Sequence, residues 1–233
     1  MYEEKIIPPK KAMPQAQDGT LRKFALRVPE VIYQCSGIMV FGKRIKSLVF
    51  STDLSIIKNV NADAIIAVYP FTPQPIITQA LLLAADIPVF AGVGGGLTKG
   101  QRVVNLAMFA EMQGATGVVL NAPTANAVVQ HVAETIDIPV VVTVARADTD
   151  FDARLQSGTN IFNVSAAAET PAIVRSIRER YPDVPIIATG GPTDESILET
   201  IRAGANAITW TPPTNGEIFR DIMAAYRDNK PHP

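Results

Sequence analysis

Cysteine is nearly absent: Cys35 is the single one in 233 residues. One thiol excludes an intrachain disulfide. Histidine is almost as scarce, with only His131 and His232. His131 falls inside a helical stretch and His232 in the tail, so a histidine-ligated zinc or iron site is not expected. Cys35 lies before the repeating part of the chain, which leaves a Cys–His pair unsupported. No apolar run approaches the roughly 18 residues of a membrane span. The opening MYEEKIIPPKKAMPQ lacks the apolar core of a secretory signal. Together these absences predict a cytoplasmic protein with no membrane contact. Charge is also sparse, at 18 % against 47 % apolar, a balance that suits a well-covered α/β core. The length suffices for one large core.

What the chain does have is an alternation repeated eight times. Short, continuous apolar runs, the pattern of buried parallel strands, fall at 47–52, 63–69, 87–92, 116–121, 138–145, 160–165, 184–189 and 207–211. Stretches of helical period separate them, such as QRVVNLAMFAEM at 101–112 and TPAIVRSIRERY at 170–181. Ile-Pro or Val-Pro opens three of the runs, where a missing N–H is tolerated. Thr170-Pro171 and Asp194-Glu-Ser mark helix starts. Gly114, Gly158 and Gly204 sit where helices should stop. Eight such units predict a (β/α)8 TIM barrel over residues 46–233. An open, doubly wound sheet is the alternative that the same alternation permits.

Residues 1–45 form an N-terminal extension. Within it VIYQC and IMVF are β-like, with turns at Gly37 and Gly42, suited to covering the barrel floor or reaching a neighbouring subunit. Residues 1–46 carry nine Lys/Arg and four Asp/Glu, the remainder twelve and eighteen. A basic arm of this kind pairs with its own acidic barrel more often than with nucleic acid. Small barrels associate, so a homo-oligomer is expected.

In a barrel, chemistry sits at the C-terminal ends of the strands. The seventh run ends in Thr189-Gly190-Gly191 before a helix, where free backbone N–H groups can meet a phosphate. The eighth supplies Thr211-Pro-Pro-Thr214-Asn-Gly216. The third loop, Gly94-Gly-Gly-Leu-Thr-Lys99-Gly, reads as a mobile lid or anion cradle from Gly94 and Gly95, with Lys99 as a charge or amine. Its spacing fits neither a Walker loop nor a dinucleotide fingerprint. Asp53 and Asp148 are placed for acid/base work, although Asp53 can equally cap a helix over 54–60. Arg146 is a carboxylate or phosphate fork, or the ion-pair partner of Asp148 or Asp150. Asn121 and Asn163 suit oxygen recognition. No cofactor is expected; an oxygen-ligated magnesium at Asp53, Asp148 or Glu169 is the one metal the residues would permit.

The stretch VPIIATGGPTDESILETIRAGANAI resembles the seventh-strand region of small phosphate-binding barrels. It is most similar to the 2-keto-3-deoxy-6-phosphogluconate aldolase group, and more distantly to the thiamine-phosphate synthase and glycerol-3-phosphate-responsive antiterminator barrels. GTNIFNVSAAAE is faintly similar to the aldolases' sixth strand, and the resemblance spans residues 158–211. It implies a scaffold that holds phosphate. It does not carry the aldolases' Schiff base: Asn163 stands at the lysine position, and no lysine occurs between Lys99 and Lys230. The expectation is an enzyme acting on a small, anionic, phosphorylated or carboxylated metabolite, of lyase, isomerase or hydrolase type. The alternative is a non-catalytic metabolite sensor resembling the antiterminator barrels.

Overall fold

The computed structural model describes residues 26–231, together with Gln15 and Gly19. Most of the basic arm and His232 lie outside the described residues. The strands are β1 (Ile38–Val40), β2 (Lys43–Ile45), β3 (Ser47–Phe50), β4 (Ala64–Ala67), β5 (Val89–Gly94), β6 (Gly117–Leu120), β7 (Val140–Val144), β8 (Ile161–Val164), β9 (Ile186–Thr189) and β10 (Ala207–Trp210). The α-helices are α1 (Leu54–Lys58), α2 (Pro75–Ala84), α3 (Gln101–Met112), α4 (Asn126–Thr135), α5 (Phe151–Gln156), α6 (Thr170–Arg180), α7 (Asp194–Arg202) and α8 (Asn215–Arg227).

Strands β3 to β10 form a closed parallel barrel. Closure is made by β10 against β3, with Ile208 opposite Ser47 and Trp210 opposite Val49. This is the (β/α)8 barrel read from the alternation, and closure excludes the open sheet. The three strand-opening prolines lie one residue outside their strands. The carbonyls of Pro88, Pro139 and Pro185 accept from Ile65, Val118 and Phe162 of neighbouring strands at 2.8, 3.0 and 3.1 Å. A residue there needs its C=O but not its N–H, which is why proline fits. Gly114, Gly158 and Gly204 take φ of 95°, 94° and 114° just past α3, α5 and α7. That left-handed backbone is the one glycine adopts without steric cost at a helix end.

Inside the barrel, period two separates two layers. The lower is apolar and buried: Leu48, Ala64, Ile66, Phe90, Val119, Val141, Ile161, Ile187 and Ala207 form one cluster. The antiparallel hairpin β1–β2 adds Ile38, Val40 and Ile45 to that cluster from below. Its two-residue turn, Phe41-Gly42, has positive φ at both positions, as a tight hairpin connection requires.

The β-like reading of VIYQC is corrected. Residues Glu30–Gln34 form a 3-10 helix, and Cys35 closes it by donating to Ile32 O. Pro29 immediately precedes the turn. Val31 and Ile32 then bury one side of it near α7, which a strand at this place could not do. Just before it, Leu26 bridges to Val60 beyond α1. The chain from Leu26 to Cys35 thus lies between α7 and α1, outside the seam of β10 and β3. Val28, Val31, Ile32 and Cys35 are buried there with Val49, Ile56, Ile197 and Ile208. Helix α8 buries no residue of its own. Among the described residues, no helix is long and apolar enough to cross a membrane.

Candidate active site at the barrel mouth

The upper interior layer follows from the lower by counting two residues along each strand. Above Val141, Ile161, Ile187 and Ala207 stand Thr143, Asn163, Thr189 and Thr209. Register pairs Thr143 with Asn163 and Thr189 with Thr209. Half of the barrel therefore changes from apolar to polar in one step. Asn163 Nδ2 donates to Thr143 Oγ1 at 3.3 Å. Asn163 Oδ1 and Thr209 Oγ1 are buried with no hydrogen-bond partner; each residue is only 7 % exposed.

Three cavities open at this end. One of 220 Å³ lies between the Tyr69–Pro73 segment and the backbone of Gly92 to Gly96. A second, of 560 Å³, is bounded by Asp53, Thr211, Thr214 and Asn215. They share Val68, Tyr69, Pro70 and Asn121, so Asn121 stands at their junction. The third, of 390 Å³, is lined by Thr189, Gly191, Thr209 and Thr211. The mouth thus gathers Asp53, Gly94, Gly95, Asn121, Gly191, Thr211 and Thr214, with Asn163, Thr189 and Thr209 in the layer below.

The third loop is more ordered in its bonding than a free lid. Strand β5 continues to Gly94, and Gly95 donates to Thr98 O at 3.0 Å. Gly95, at φ 114°, lies so close to the next loop that a Cβ would meet Asn121 Cβ at 2.6 Å and Thr124 Oγ1 at 2.7 Å. Gly95 thus serves close packing against the Asn121 loop, and Gly94 packs against Thr98 and Val103. Leu97 projects fully into solvent, and Lys99 is exposed beside it, outside the residues lining the smaller cavity.

Both carboxylates expected to move protons are engaged. Asp53 caps α1: its Oδ1 accepts from Ser55 N at 2.8 Å, Ser55 Oγ at 2.7 Å and Ile56 N at 3.2 Å. Its Oδ2 accepts from Asn215 Nδ2 at the start of α8. The Ser55 hydroxyl, helped by the backbone N–H groups, holds the Asp53 carboxyl below the usual carboxylate range against opposing desolvation. Arg146 grips Asp148 in a bidentate fork of 2.9 and 2.6 Å. The fork lowers the Asp148 pKa. Both side chains stand in solvent, away from the lining of all three cavities.

The two glycines after β9 differ. A Cβ on Gly190 would meet Ile197 and Ile208 at 2.8 Å, so the absence of a side chain at Gly190 serves packing between β10 and α7. Gly191 is exposed at φ 81° and faces the third cavity. The cap of α7 is Thr193, one residue before the expected start, in a reciprocal box with Ser196. Thr214 and Glu217 form the matching box on α8. Glu195 and Glu217 are both held ionised by these helix starts, through backbone N–H groups and the capping threonines. The protein's own groups therefore occupy much of the positive end that a phosphate would use.

Among the described residues, no group of three or more His, Cys, Asp or Glu side chains could hold a metal ion. Asp53 and Asp148 are committed elsewhere, and Glu169 is exposed ahead of α6. Thr143 and Thr209 were not singled out in the sequence, because each sits inside an apolar run. Counting inward positions back from the polar end of a strand is the signal that finds them.

No protein-family model matches the sequence, and no curated protein matches it. The likeness of residues 158–211 to the phosphogluconate aldolases therefore gains no support from families. Solved structures do match. A protein described as a candidate phosphonomutase from Burkholderia cenocepacia J2315 superposes with a TM-score of 0.62 at 14 % identity, over 78 % of this chain and 93 % of that one. Phosphonopyruvate hydrolase in complex with oxalate and Mg++ gives 0.60 at 12 %, over 80 % and 84 %. The dihydrodipicolinate synthase DapA-2 of Bacillus anthracis gives 0.57 at 17 %, over 78 % and 76 %. At these identities the likeness shows the fold, and what the chain shares with all three is the (β/α)8 barrel.

Proposed function

We propose that this chain is a cytoplasmic enzyme of lyase, isomerase or hydrolase type, acting on a small phosphorylated or carboxylated metabolite at the mouth of its barrel. The observation that carries the reading is the pair of buried, unpartnered oxygens, Asn163 Oδ1 and Thr209 Oγ1. Leaving such an atom unpaired costs about 1–3 kcal/mol. Two of them in one layer, under cavities sized for a metabolite, are what a site built to receive polar groups requires.

In this reading Asn121, Asn163, Thr189, Thr209 and Thr211 receive the substrate's oxygens and hydroxyls. Gly94 and Gly95 form the close wall of the smaller cavity. Gly191 and Thr214 border the space for an anionic group, and Lys99 at the rim supplies charge or an amine. Asn163 cannot form a Schiff base, so the sixth barrel strand takes no covalent part. The phosphonopyruvate hydrolase relative, seen with oxalate, supports a small dianion as the kind of ligand such a barrel accepts. A binding-only role has one observation in its favour: Asp53 and Asp148 are both committed to other partners.

A thermal-shift panel tests the reading, using sugar phosphates, phosphorylated keto acids, glycerol phosphates and their dephosphorylated counterparts, with and without magnesium. A ligand at about 100 times its Kd adds roughly 2.7 kcal/mol of stability. Stabilisation by acids that Asn163→Val abolishes, followed by turnover of the same compound, supports the enzyme. Stabilisation without turnover supports the sensor. No response from any anion rejects both.

A further inference from the structure

Helix α8 packs only shallowly: Ile218 rests half-buried against the core, and Ile222 is half-buried too. Phe219 and Met223, four apart, form a second apolar row beside Ile218 and Ile222, and this row is exposed. None of the helix's 13 residues is buried, whereas α1 to α7 each bury at least one. The reason lies at the other end of the chain. The seam between β10 and β3, which the last helix of a (β/α)8 barrel would cover, is already filled by Val28, Val31, Ile32 and Cys35. Helix α8 is held at its start, where Asn215 bonds Asp53 and Ser55, and Phe219 and Met223 face outward.

Large apolar side chains are also exposed at Tyr33, at Met39 and Phe41 on the β1–β2 hairpin, at Leu97, and at Phe109 and Met112 on α3. Between Met112 and Phe219, no large apolar residue is exposed. The outer faces of α4 to α7 are therefore free of them. The opposite sector carries Leu54 on α1, Phe71 in the loop before α2, Ile76 and Leu83 on α2, and Phe219 and Met223 on α8, each about four-tenths to four-fifths exposed. These elements adjoin: α8 is bonded to α1, and α1 contacts α2.

We propose that α8, α1 and α2 form the surface on which a second copy of this chain docks. The area fits. Large side chains of about 150–250 Å² each, exposed to those fractions, supply roughly 700 Å² per chain, close to the about 800 Å² that each partner brings to a standard stable interface. The charge also fits. Helix α8 carries two acidic and two basic residues, Glu217, Asp221, Arg220 and Arg227, so two copies meet without net repulsion. Because Asn215 ties the root of α8 to Asp53 beside the 560 Å³ cavity, the docked face begins at the rim of the candidate site.

Sedimentation velocity of the full chain, from about 1 to 100 μM, is the test. The wild type is expected to self-associate as a dimer. Phe219→Glu combined with Met223→Glu is expected to weaken association roughly 100-fold, as loss of central contacts does. His131→Glu on the opposite face should leave it unchanged, with far-UV circular dichroism confirming all three folds. Should the double variant misfold, Met223→Cys replaces it: a short bismaleimide gives covalent dimers, since Cys35 is buried. A wild type that stays monomeric throughout overturns the proposal, whatever else covers α8. So does a dimer that survives the double variant or is broken by His131→Glu.

Discussion

Asn163→Val pits stability against binding at the centre of the mouth. Asn163 is 7 % exposed, its Oδ1 has no partner, and its amide makes one long bond of 3.3 Å to Thr143. Valine is smaller than leucine, suits a strand and brings no polar atom. Removing the unpaired oxygen returns about 1–3 kcal/mol, and losing the bond to Thr143 takes back about 0.5–1.5 kcal/mol. Thr143 is only half-buried, so water can satisfy its hydroxyl. The net expectation is a gain of about 1 kcal/mol, or a Tm higher by about 2–4 °C for a chain of this length. Differential scanning fluorimetry reads the Tm, and the ligand response of the same samples reads the site. The variant should be more stable when empty and less stabilised by whatever ligand the wild type binds. A loss of about 2 kcal/mol or more would refute the reasoning, because it would mean that the oxygen serves a bond within the fold.

Three other perturbations follow from the same geometry. Gly190→Ala should destabilise by about 1–3 kcal/mol in urea unfolding, since the new Cβ meets Ile197 and Ile208 at 2.8 Å; unchanged stability would contradict that packing. Asp53→Ala should cost about 1 kcal/mol as a lost helix cap. The Asp53 carboxyl is depressed in the folded chain, so its contribution is full above its unfolded value of about 3.9 and is lost as pH falls through the lower folded value. The difference between wild type and Asp53→Ala should accordingly shrink in acid, and a difference that grows there would reject the assignment. Burial pushes the Cys35 thiol up to about 12, so a thiol reagent at pH 8 should label the native protein at the rate of unfolding and the urea-unfolded chain at once; rapid native labelling would contradict its place in the core.

How much of this was legible depended on whether a residue's neighbours in sequence were also its neighbours in space. The eight strands were readable because parallel strands covered on both faces need unbroken apolar runs, and their ends were set by local prolines and glycines. The 3-10 turn at Glu30–Gln34 was not, because VIYQC is β-branched and aromatic; its form is fixed by Val31 and Ile32 packing near α7, more than 160 residues away. Asn163 stood out as an amide within an apolar run, but its partner Thr143 and its layer-mate Thr209 did not. A threonine is ordinary in a strand, and only closure of the barrel brings three of them and one asparagine into a single layer. Asp53 and Arg146 were each read two ways, as functional and as structural. In both cases the partner that decides, Ser55 for Asp53 and Asp148 for Arg146, lies two residues away.

The filling of the β10–β3 seam by Leu26–Cys35 has a consequence for how the chain is made. A nascent chain emerges N-terminus first, so Val28, Val31, Ile32 and Cys35 leave the ribosome before any of the strands and helices they cover. Ile197 and Ile208, against which they bury, come some 160 residues later. For most of synthesis this apolar segment has only its early partners around Val49, Ile56 and Val60, and the barrel cannot close until β10 arrives to pair with β3. A chain released before β10 therefore carries an apolar segment covered on one side only and two open strand edges. One released after Trp210 already holds every pairing that closes the barrel.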